Sequence, residues 1–189
     1  MNDDIVLIQR VLSGDQNAYA DLVRAHQARI LRLCASLLED SSLAEDAAQE
    51  VFFRAYRKLR TFRGQAAFST WLYRIAANHC LDLLRRRRRE RTESWDALLE
   101  GSGEPLHELL TLPRDPTTVV ANTELVQRAL AQLSPGYRLI LTLREVEGLS
   151  YQELAGTLRC SLDAVKARLR RARQELLERV RHFLGEGGV

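Results

Sequence analysis

Apolar residues recur at three- and four-residue spacing along most of the chain, which predicts amphipathic α-helices rather than β-strands. In the first half, a short helix is predicted to end at Gly14, and a longer apolar stripe occupies residues 19–37. Ser42 and Glu45 form an S-x-x-E capping box that predicts the start of a third helix. A fourth helix is predicted from about Thr70 into a run of arginines. The first half of the chain therefore predicts an all-helical domain.

The periodicity fades between Arg91 and Thr117, where Gly and Pro interrupt a largely acidic segment. It resumes after this segment, and Ser134 and Pro135 supply an N-cap and a first-turn proline for a helix that ends at Gly148. The predicted fold class is all-α, with two small helical domains joined by a flexible acidic linker. The predicted boundaries of the first domain, the linker and the second domain are 1–91, 92–117 and 118–185.

The segment that follows Gly148 has the pattern of a helix-turn-helix. Ser150 and Glu153 form a second capping box, which opens a short helix. Three residues later Ser161 is predicted to cap the next helix. Two helices joined by so tight a turn are typical of DNA-binding proteins, and the motif is predicted over residues 151–170. The side chains that flank or oppose the apolar stripe of the second helix, and that would face a major groove, are Lys166, Ala167, Arg168, Arg170, Arg171 and Arg173.

Charge is distributed unevenly, although the formal net charge is only +3. Residues 60–91 carry 9 basic and 2 acidic side chains, residues 92–127 carry 1 and 7, and residues 159–181 carry 8 and 3. Two basic blocks thus flank an acidic one. Separated basic blocks predict two places where a polyanion binds, and the acidic block would repel it. Arginine-rich faces that are only solvated are the alternative interpretation.

Aromatic residues are concentrated just before and at the start of the fourth predicted helix. They are Phe62, Phe68, Trp71 and Tyr73. Helical periodicity predicts an outer face opposite Leu72. That face is formed by Trp71, Arg74, Asn78 and Arg85. Because rings stack on unpaired bases, amides read base edges and cations contact phosphates, this pattern predicts a site for single-stranded DNA. Aromatic core residues beside a solvated basic helix would give the same pattern.

The residue patterns indicate neither catalysis nor metal binding. The two lysines lie outside any phosphate-binding loop, and the four histidines lack metal-ligand spacing. His26 and His79 lie on apolar helix faces, where hydrogen-bonded core histidines are expected. Cys34, Cys80 and Cys160 are widely separated, which favours a reducing compartment. No uncharged stretch is long enough to cross a membrane. We therefore expect a cytoplasmic, non-enzymatic protein without a cofactor, a metal or a membrane-inserted segment.

The order of these parts resembles bacterial sigma factors, in particular the short extracytoplasmic-function group of the sigma-70 superfamily. Three stretches carry the resemblance: 46–57 (DAAQEVFFRAYR), 68–78 (FSTWLYRIAAN) and 147–155 (EGLSYQELA). The linker is too short for the additional middle domain of housekeeping sigma factors. The resemblance implies a non-enzymatic subunit that directs core RNA polymerase to specific promoters and begins strand opening.

The resemblance also implies a role for each part. The first domain is similar to sigma domain 2, whose core-binding positions match Asp46, Gln49, Glu50, Phe53, Arg54 and Arg57. Its positions for melting and recognition of the −10 element match Phe62, Phe68, Trp71, Arg74, Asn78 and Arg85. The second domain is similar to sigma domain 4, which reads the −35 element through its helix-turn-helix. The implied partners are promoter DNA, the β′ clamp helices and β flap of core polymerase, and an anti-sigma factor. The acidic linker would thread the polymerase interior.

Two features depart from the family pattern. Five consecutive arginines, Arg85 to Arg89, favour nonspecific DNA contact at the end of the fourth helix. Positions 167 and 170, which set promoter choice in the family, hold Ala and Arg, so no −35 sequence is predicted. Two other functions also fit the residue patterns. One is a stand-alone helix-turn-helix regulator with an N-terminal sensor, which would bind its promoter tightly without polymerase. The other is a helical interaction protein whose basic helices bind acidic partners.

Overall fold

The computed structural model describes residues 3–38, 40–90, 125, 126 and 128–186. Every regular element in these residues is a helix, which confirms the predicted all-α fold class. The predicted linker, 92–117, lies outside the described residues. We call residues 3–90 the N-terminal unit and residues 125–186 the C-terminal unit.

The N-terminal unit consists of four α-helices and one short 3₁₀ turn. They are α1 (Asp3–Leu12), α2 (Gln16–Leu37), α3 (Ser41–Lys58), the 3₁₀ turn (Leu59–Thr61) and α4 (Phe68–Glu90). The helix α3 begins at Ser41 because Asp40 caps it, its carboxylate accepting a hydrogen bond from the Leu43 amide at 3.1 Å. The predicted capping box of Ser42 and Glu45 was therefore wrong, since the cap lies two residues earlier.

The C-terminal unit begins with helical residues 125, 126 and 128–131. It continues with α5 (Pro135–Leu141), a π-helical turn (Thr142–Val146), α6 (Tyr151–Leu158) and α7 (Leu162–Glu186). Ser134 caps α5 as predicted, its hydroxyl accepting from the Tyr137 amide at 3.4 Å. Gly148 follows the π-helical turn with a φ of 73°, a left-handed conformation that glycine adopts without steric cost.

Three helices of the N-terminal unit, α2, α3 and α4, pack around an apolar core. Fully buried alanines on α3, including Ala44 and Ala55, allow the neighbouring helices to approach closely. His26 and His79 are both buried, as predicted, and His26 Nε2 lies 3.0 Å from a carboxylate oxygen of Asp4 on α1. The first helix is thereby joined to the bundle.

The two units share one continuous apolar core rather than lying apart. Helix α4 packs on α6, and α2 packs on α5. Leu72 of the N-terminal unit and Leu154 and Leu169 of the C-terminal unit are all almost inaccessible to solvent within the same cluster. The sequence pattern, which predicts two domains on a flexible linker, did not predict this contact.

Candidate nucleic-acid and polymerase interfaces

The predicted helix-turn-helix is present in the C-terminal unit. The Ser150 hydroxyl accepts from the Glu153 amide at 3.2 Å, and the Glu153 carboxylate accepts from the Ser150 amide at 2.8 Å, so the capping box is confirmed. These bonds from Ser150 hold the pKa of Glu153 below its usual value. Arg159 closes the turn in the left-handed region, with a φ of 52°. Ser161 then caps α7, its hydroxyl accepting from the Ala164 amide at 3.2 Å.

One face of α7 packs against the rest of the C-terminal unit, and the opposite face therefore points to solvent. Val165, Leu169 and Ala172 are buried on the inward face, as the apolar periodicity predicts. Leu162 lies on the same apolar stripe of the sequence, but it is 41% exposed because it lies at the very start of the helix, at the margin of the packed face. The packed face of α7 therefore begins at Val165, about one turn after the start of the helix.

The side chains predicted to read the −35 element differ in accessibility. Lys166 and Arg170 are exposed. The half-buried ones are Ala167, Arg168, Arg171 and Arg173. The Lys166 ammonium lies 3.4 Å from the Asp163 carboxylate, which is an exposed pair on the same helix. Arg173 instead donates through two nitrogens to Glu145, at 2.6 and 3.2 Å. The Arg173 guanidinium is thus held within its own unit.

An aromatic cluster lies where the −10 residues were predicted. The centroids of the Phe62, Phe68 and Trp71 rings are 5.5–5.6 Å apart, within the range of favourable ring pairs. Phe68 is 1% exposed and Trp71 is 8% exposed. The prediction that Trp71 lies on the outer face of α4 was therefore wrong. The ring is enclosed by Phe62 and Phe68, and helical periodicity within α4 does not include the loop residue Phe62.

The polar members of the predicted −10 stripe remain accessible along α4. Arg74 is half-buried, whereas Asn78 and Arg85 are exposed. The Arg85 guanidinium lies 2.8 Å from the Asp82 carboxylate, and both side chains are more than half exposed. These three residues agree with the predicted outer face and present an amide and two cations to solvent.

A cleft of about 560 Å³ separates the aromatic cluster from the helix-turn-helix. The loop of residues 61–67 and Arg74 line one side, and Gln152, Gly156 and Thr157 of α6 line the other. Its volume lies within the range of about 300–1,000 Å³ that is usual for ligand sites. The cleft thus lies between the loop of residues 61–67 and the first helix of the helix-turn-helix.

The predicted core-binding residues lie on the outer face of α3, away from its apolar stripe, as expected. Asp46, Gln49, Phe53 and Arg57 are exposed, and the half-buried members are Glu50 and Arg54. Phe53 is 56% exposed, with the Arg57 guanidinium 5.7 Å from its ring centroid. The Arg54 side chain donates to Glu50 at 2.6 Å and holds the pKa of that carboxyl below its usual value. The face combines one exposed ring with paired charges.

An apolar groove of about 630 Å³ runs beside this face, between α2 and α3. Val23, Leu31, Ala48 and Phe52 form its apolar lining, and Leu31 is 39% exposed. Sequence reasoning did not identify it. The available signal was Leu31, an apolar residue directly after Ile30 and therefore about 100° off the buried stripe.

The described residues contain no group of His, Cys, Asp and Glu that could hold a metal ion. The Cys80 thiol lies 3.6 Å from Cys34, and this hydrogen bond, together with burial, raises the pKa of Cys34. Cys160 is partly exposed. None of the described helices is long and apolar enough to cross a membrane.

Two family models match the chain, one in each unit. Sigma-70 region 2 matches residues 22–90, and Sigma-70 region 4 matches residues 123–176. The RNA polymerase sigma-H factor of Pseudomonas aeruginosa is 38% identical over 188 residues, which cover 97% of this chain and 96% of that protein. The chain belongs to the sigma-70 family. The ECF RNA polymerase sigma-E factor of Escherichia coli K12 is 36% identical over 188 residues, 96% of each chain, which places this sigma factor in the extracytoplasmic-function group.

Solved structures show the same fold. The sigma factor RpoE of Bartonella quintana, solved in complex with the anti-sigma factor NepR, matches with a TM-score of 0.65 at 23% identity, over 86% of this chain and 96% of that one. CnrH, solved in complex with the cytosolic domain of CnrY, matches with a TM-score of 0.65 at 24% identity, over 99% of both chains. The resemblance to the extracytoplasmic-function group that the sequence motifs indicate is confirmed. As a sigma factor, the protein directs core RNA polymerase to promoters and begins strand opening.

Proposed function

We propose a division of labour between the two units of this sigma factor. The N-terminal unit holds core RNA polymerase through the outer face of α3 and opens the −10 element along α4. The C-terminal unit reads the −35 element through α7. The observation that carries the proposal is the exposure of three separate helix faces: Phe53 among charges on α3, Asn78 and Arg85 on α4, and Lys166 and Arg170 on α7.

The α3 face has the composition of a protein-binding surface. Phe53 projects from it and serves as an anchor in the contact with the β′ clamp helices, because exposed aromatic residues often dominate binding energy once they are desolvated. The surrounding polar and charged side chains supply the rim and fix the orientation. They are Asp46, Gln49, Glu50, Arg54 and Arg57.

The −10 role falls mainly on the accessible residues of α4. Asn78 reads a base edge, while Arg74 and Arg85 contact the backbone of the separated strand. Phe68 supports the site from within the core, and Phe62, which is half-buried, is the more accessible ring of the cluster. Extruding a base costs about a few kcal/mol, which stacking and edge contacts must offset. Trp71, which is 8% exposed, supports the site from the same aromatic cluster.

The −35 role is carried by the outward side of α7. Lys166, Arg168 and Arg170 contact phosphates or base edges in the major groove, and Arg171 is a candidate for a bidentate contact with guanine. Ala167 is suited to an apolar contact with a thymine methyl group. The C-terminal unit also binds the β flap of the polymerase, which keeps α7 upstream of the melted region.

An anti-sigma factor is the proposed regulator. The support is that both fold relatives named above were solved in complexes, RpoE with the anti-sigma factor NepR and CnrH with the cytosolic domain of CnrY. The α3 face and the outward side of α7 are the surfaces that such a partner would cover. We further infer that the protein acts in the cytoplasm with core polymerase, and that it has no catalytic activity of its own, because sigma factors are non-catalytic initiation factors.

Transcription in vitro tests the proposal. Purified chain and bacterial core polymerase are combined with genomic DNA, and the run-off transcripts are sequenced to locate their start sites. We expect starts at a small set of promoters, and we expect Phe53→Ala to abolish them by weakening core binding. A stand-alone regulator would instead bind its promoter tightly without polymerase. A scaffold protein would change neither the binding of core polymerase to promoter DNA nor the start sites of transcription. Either result would contradict the proposal.

A further inference from the structure

Two buried thiols face each other between α2 and α4. Cys34 lies in the last turn of α2, which ends at Leu37, and Cys80 lies midway along α4. Both side chains are fully inaccessible to solvent, and the Cys80 thiol donates to Cys34 Sγ at 3.6 Å. The third cysteine of the chain, Cys160, is partly exposed on the turn of the helix-turn-helix. The core of the N-terminal unit therefore contains a thiol pair.

The two sulfur atoms lie close to the distance at which a covalent bond forms. In a disulfide they are about 2.05 Å apart, so Cys34 Sγ and Cys80 Sγ need to approach each other by about 1.5 Å. Shared between the two side chains, this is a movement of about 0.8 Å for each. Because the thiols are already in contact, no other side chain has to leave the space between them.

The oxidant that suits this pair is a hydroperoxide. The sulfur of one cysteine attacks the O–O bond and forms an S–OH bond, and the alkoxide or hydroxide that leaves takes up the proton of this first thiol. The sulfur of the second cysteine then attacks the sulfenic acid. The S–S bond forms, and the hydroxyl group leaves as water with the proton of the second thiol. Two thiols are thereby oxidised and one peroxide is reduced.

The end of α2 gives the oxidant access to the pair. The hydrogen bond from Cys80 and burial raise the pKa of Cys34, so the closed pair is unreactive. Helix ends open more readily than the core of a protein. When the last turn of α2 opens, the bond from the Leu38 amide to the Cys34 carbonyl, at 2.8 Å, is lost and Cys34 is exposed. Cys34 is therefore oxidised first and slowly, and Cys80 is the thiol that captures the sulfenic acid.

We propose that Cys34 and Cys80 form a redox modification site, which a hydroperoxide converts reversibly into a disulfide that links α2 to α4. The bond closes a loop over 46 positions of the sequence, and this loop contains the whole of α3. In a reducing compartment the disulfide forms only under oxidative conditions, as is usual for redox-sensing cysteines. A sulfenic acid without a neighbouring thiol proceeds to sulfinic acid, so the pair keeps the oxidation reversible. This inference does not depend on the proposed function.

Three variants of the full chain isolate the pair. Cys160→Ser removes the partly exposed thiol and so prevents links between two molecules. In this background, Cys34→Ala and Cys80→Ala each leave one buried thiol without its partner, and they are matched controls for each other. Circular dichroism verifies that each variant folds.

Peptide mass spectrometry and thermal unfolding test the inference. Hydrogen peroxide is used at a concentration that fully oxidises Cys160 of the wild-type chain. We expect a peptide in which Cys34 is linked to Cys80 with the loss of two hydrogen atoms, and we expect dithiothreitol to separate it. For a loop of this length, the entropy removed from the unfolded chain corresponds to a rise in Tm of roughly 8–16 °C. This rise is expected for oxidised Cys160→Ser and for neither double variant.

The result that overturns the inference is specific. If Cys160 of the wild-type chain is fully oxidised while Cys34 and Cys80 remain separate thiols, the two are only packed core side chains. Separate sulfinic acids on both would also refute the inference, because the neighbouring thiol would then not have captured the sulfenic acid. A linked peptide without a rise in Tm would show that the bond does not fit the native core. Should an alanine variant not fold, the linked peptide and the Tm of Cys160→Ser decide.

Discussion

Trp71 has two expected roles, one in the stability of the core and one in promoter opening, and replacing it with alanine measures the first. The ring is 8% exposed and packs against Phe62 and Phe68, with centroids 5.5 and 5.6 Å away. A buried Trp side chain removes about 150–250 Å² from water, which at about 25 cal/mol per Å² is roughly 4–6 kcal/mol. Measured Trp→Ala and Phe→Ala substitutions in cores cost about 3–5 kcal/mol. We therefore expect Trp71→Ala to lower the free energy of unfolding by about 3–5 kcal/mol.

The assay is urea unfolding of the full chain at 25 °C, followed by circular dichroism. In a thermal scan of the same chain the loss corresponds to a fall in Tm of roughly 6–20 °C, since each kcal/mol shifts Tm by about 2–4 °C for a chain of this size. Phe53→Ala is the matched control, because that ring is 56% exposed and exposed substitutions usually change stability by less than about 0.5 kcal/mol. A loss below about 1 kcal/mol for Trp71→Ala would refute the enclosed position of the ring.

The functional measurement uses Trp71→Phe, which keeps an aromatic ring in the core. At a temperature where this variant is fully folded, we expect binding to core polymerase to stay near that of wild type and opening of the promoter to be impaired, as measured by permanganate reactivity of unpaired thymines. An equal loss of both activities would assign Trp71 to the polymerase contact instead.

Three further outcomes are expected. Arg171→Ala is expected to weaken −35 binding by about 1–3 kcal/mol at one base position, as measured in a mobility-shift assay with holoenzyme and mutated sites. Arg173→Ala is expected to weaken binding to all sequences alike, because the pairing of Arg173 with Glu145 orients α7. A base-selective loss for Arg173→Ala would contradict this. Ser150→Ala destabilises the fold by about 1 kcal/mol in urea unfolding, and a neutral result would show that the cap is dispensable. Burial holds the pKa of His79 below its usual value of 6.5, so neutral His79 stabilises the fold above pH 6.5 and this stabilisation is lost as the pH falls below 6.5. His79→Gln should therefore flatten the dependence of the unfolding free energy on pH between about pH 7.5 and 5.5. An unchanged slope would exclude His79 as the source of that dependence.

The helices and the helix-turn-helix were predictable because their signals are local. The Ser150 box, the Ser134 cap and the stripe through Val165 and Leu169 depend on residues within a few positions of one another, and all are present in the structure. The cap of α3 was misplaced because Asp40 and Ser42 compete for the same role and the pattern alone does not choose between them.

The accessibility of the candidate sites was predictable only in part. The α3 face has polar residues at helical spacing, so its exposure follows from its own periodicity. Trp71 behaves differently, because it is buried against the rings of Phe62 and Phe68. Glu147 is buried against Tyr73 of the other unit, more than seventy residues away in sequence. A helical wheel describes one helix and includes no neighbour, so it places Trp71 outside. Packing against residues outside the helix itself determines the burial of both side chains.

The π-helical turn between α5 and the helix-turn-helix has a geometric consequence. The Glu147 amide bonds to the Thr142 carbonyl at 3.0 Å, five residues back, so this turn contains one residue more than an α-helix would need. Deleting a single residue between positions 142 and 146 would let ordinary α-helix continue with nearly the same direction downstream, because the π-helical turn takes up its extra residue within that one turn. The extra residue is therefore accommodated locally, and the direction in which the helix-turn-helix faces is set by the packing of α5, α6 and α7 against one another.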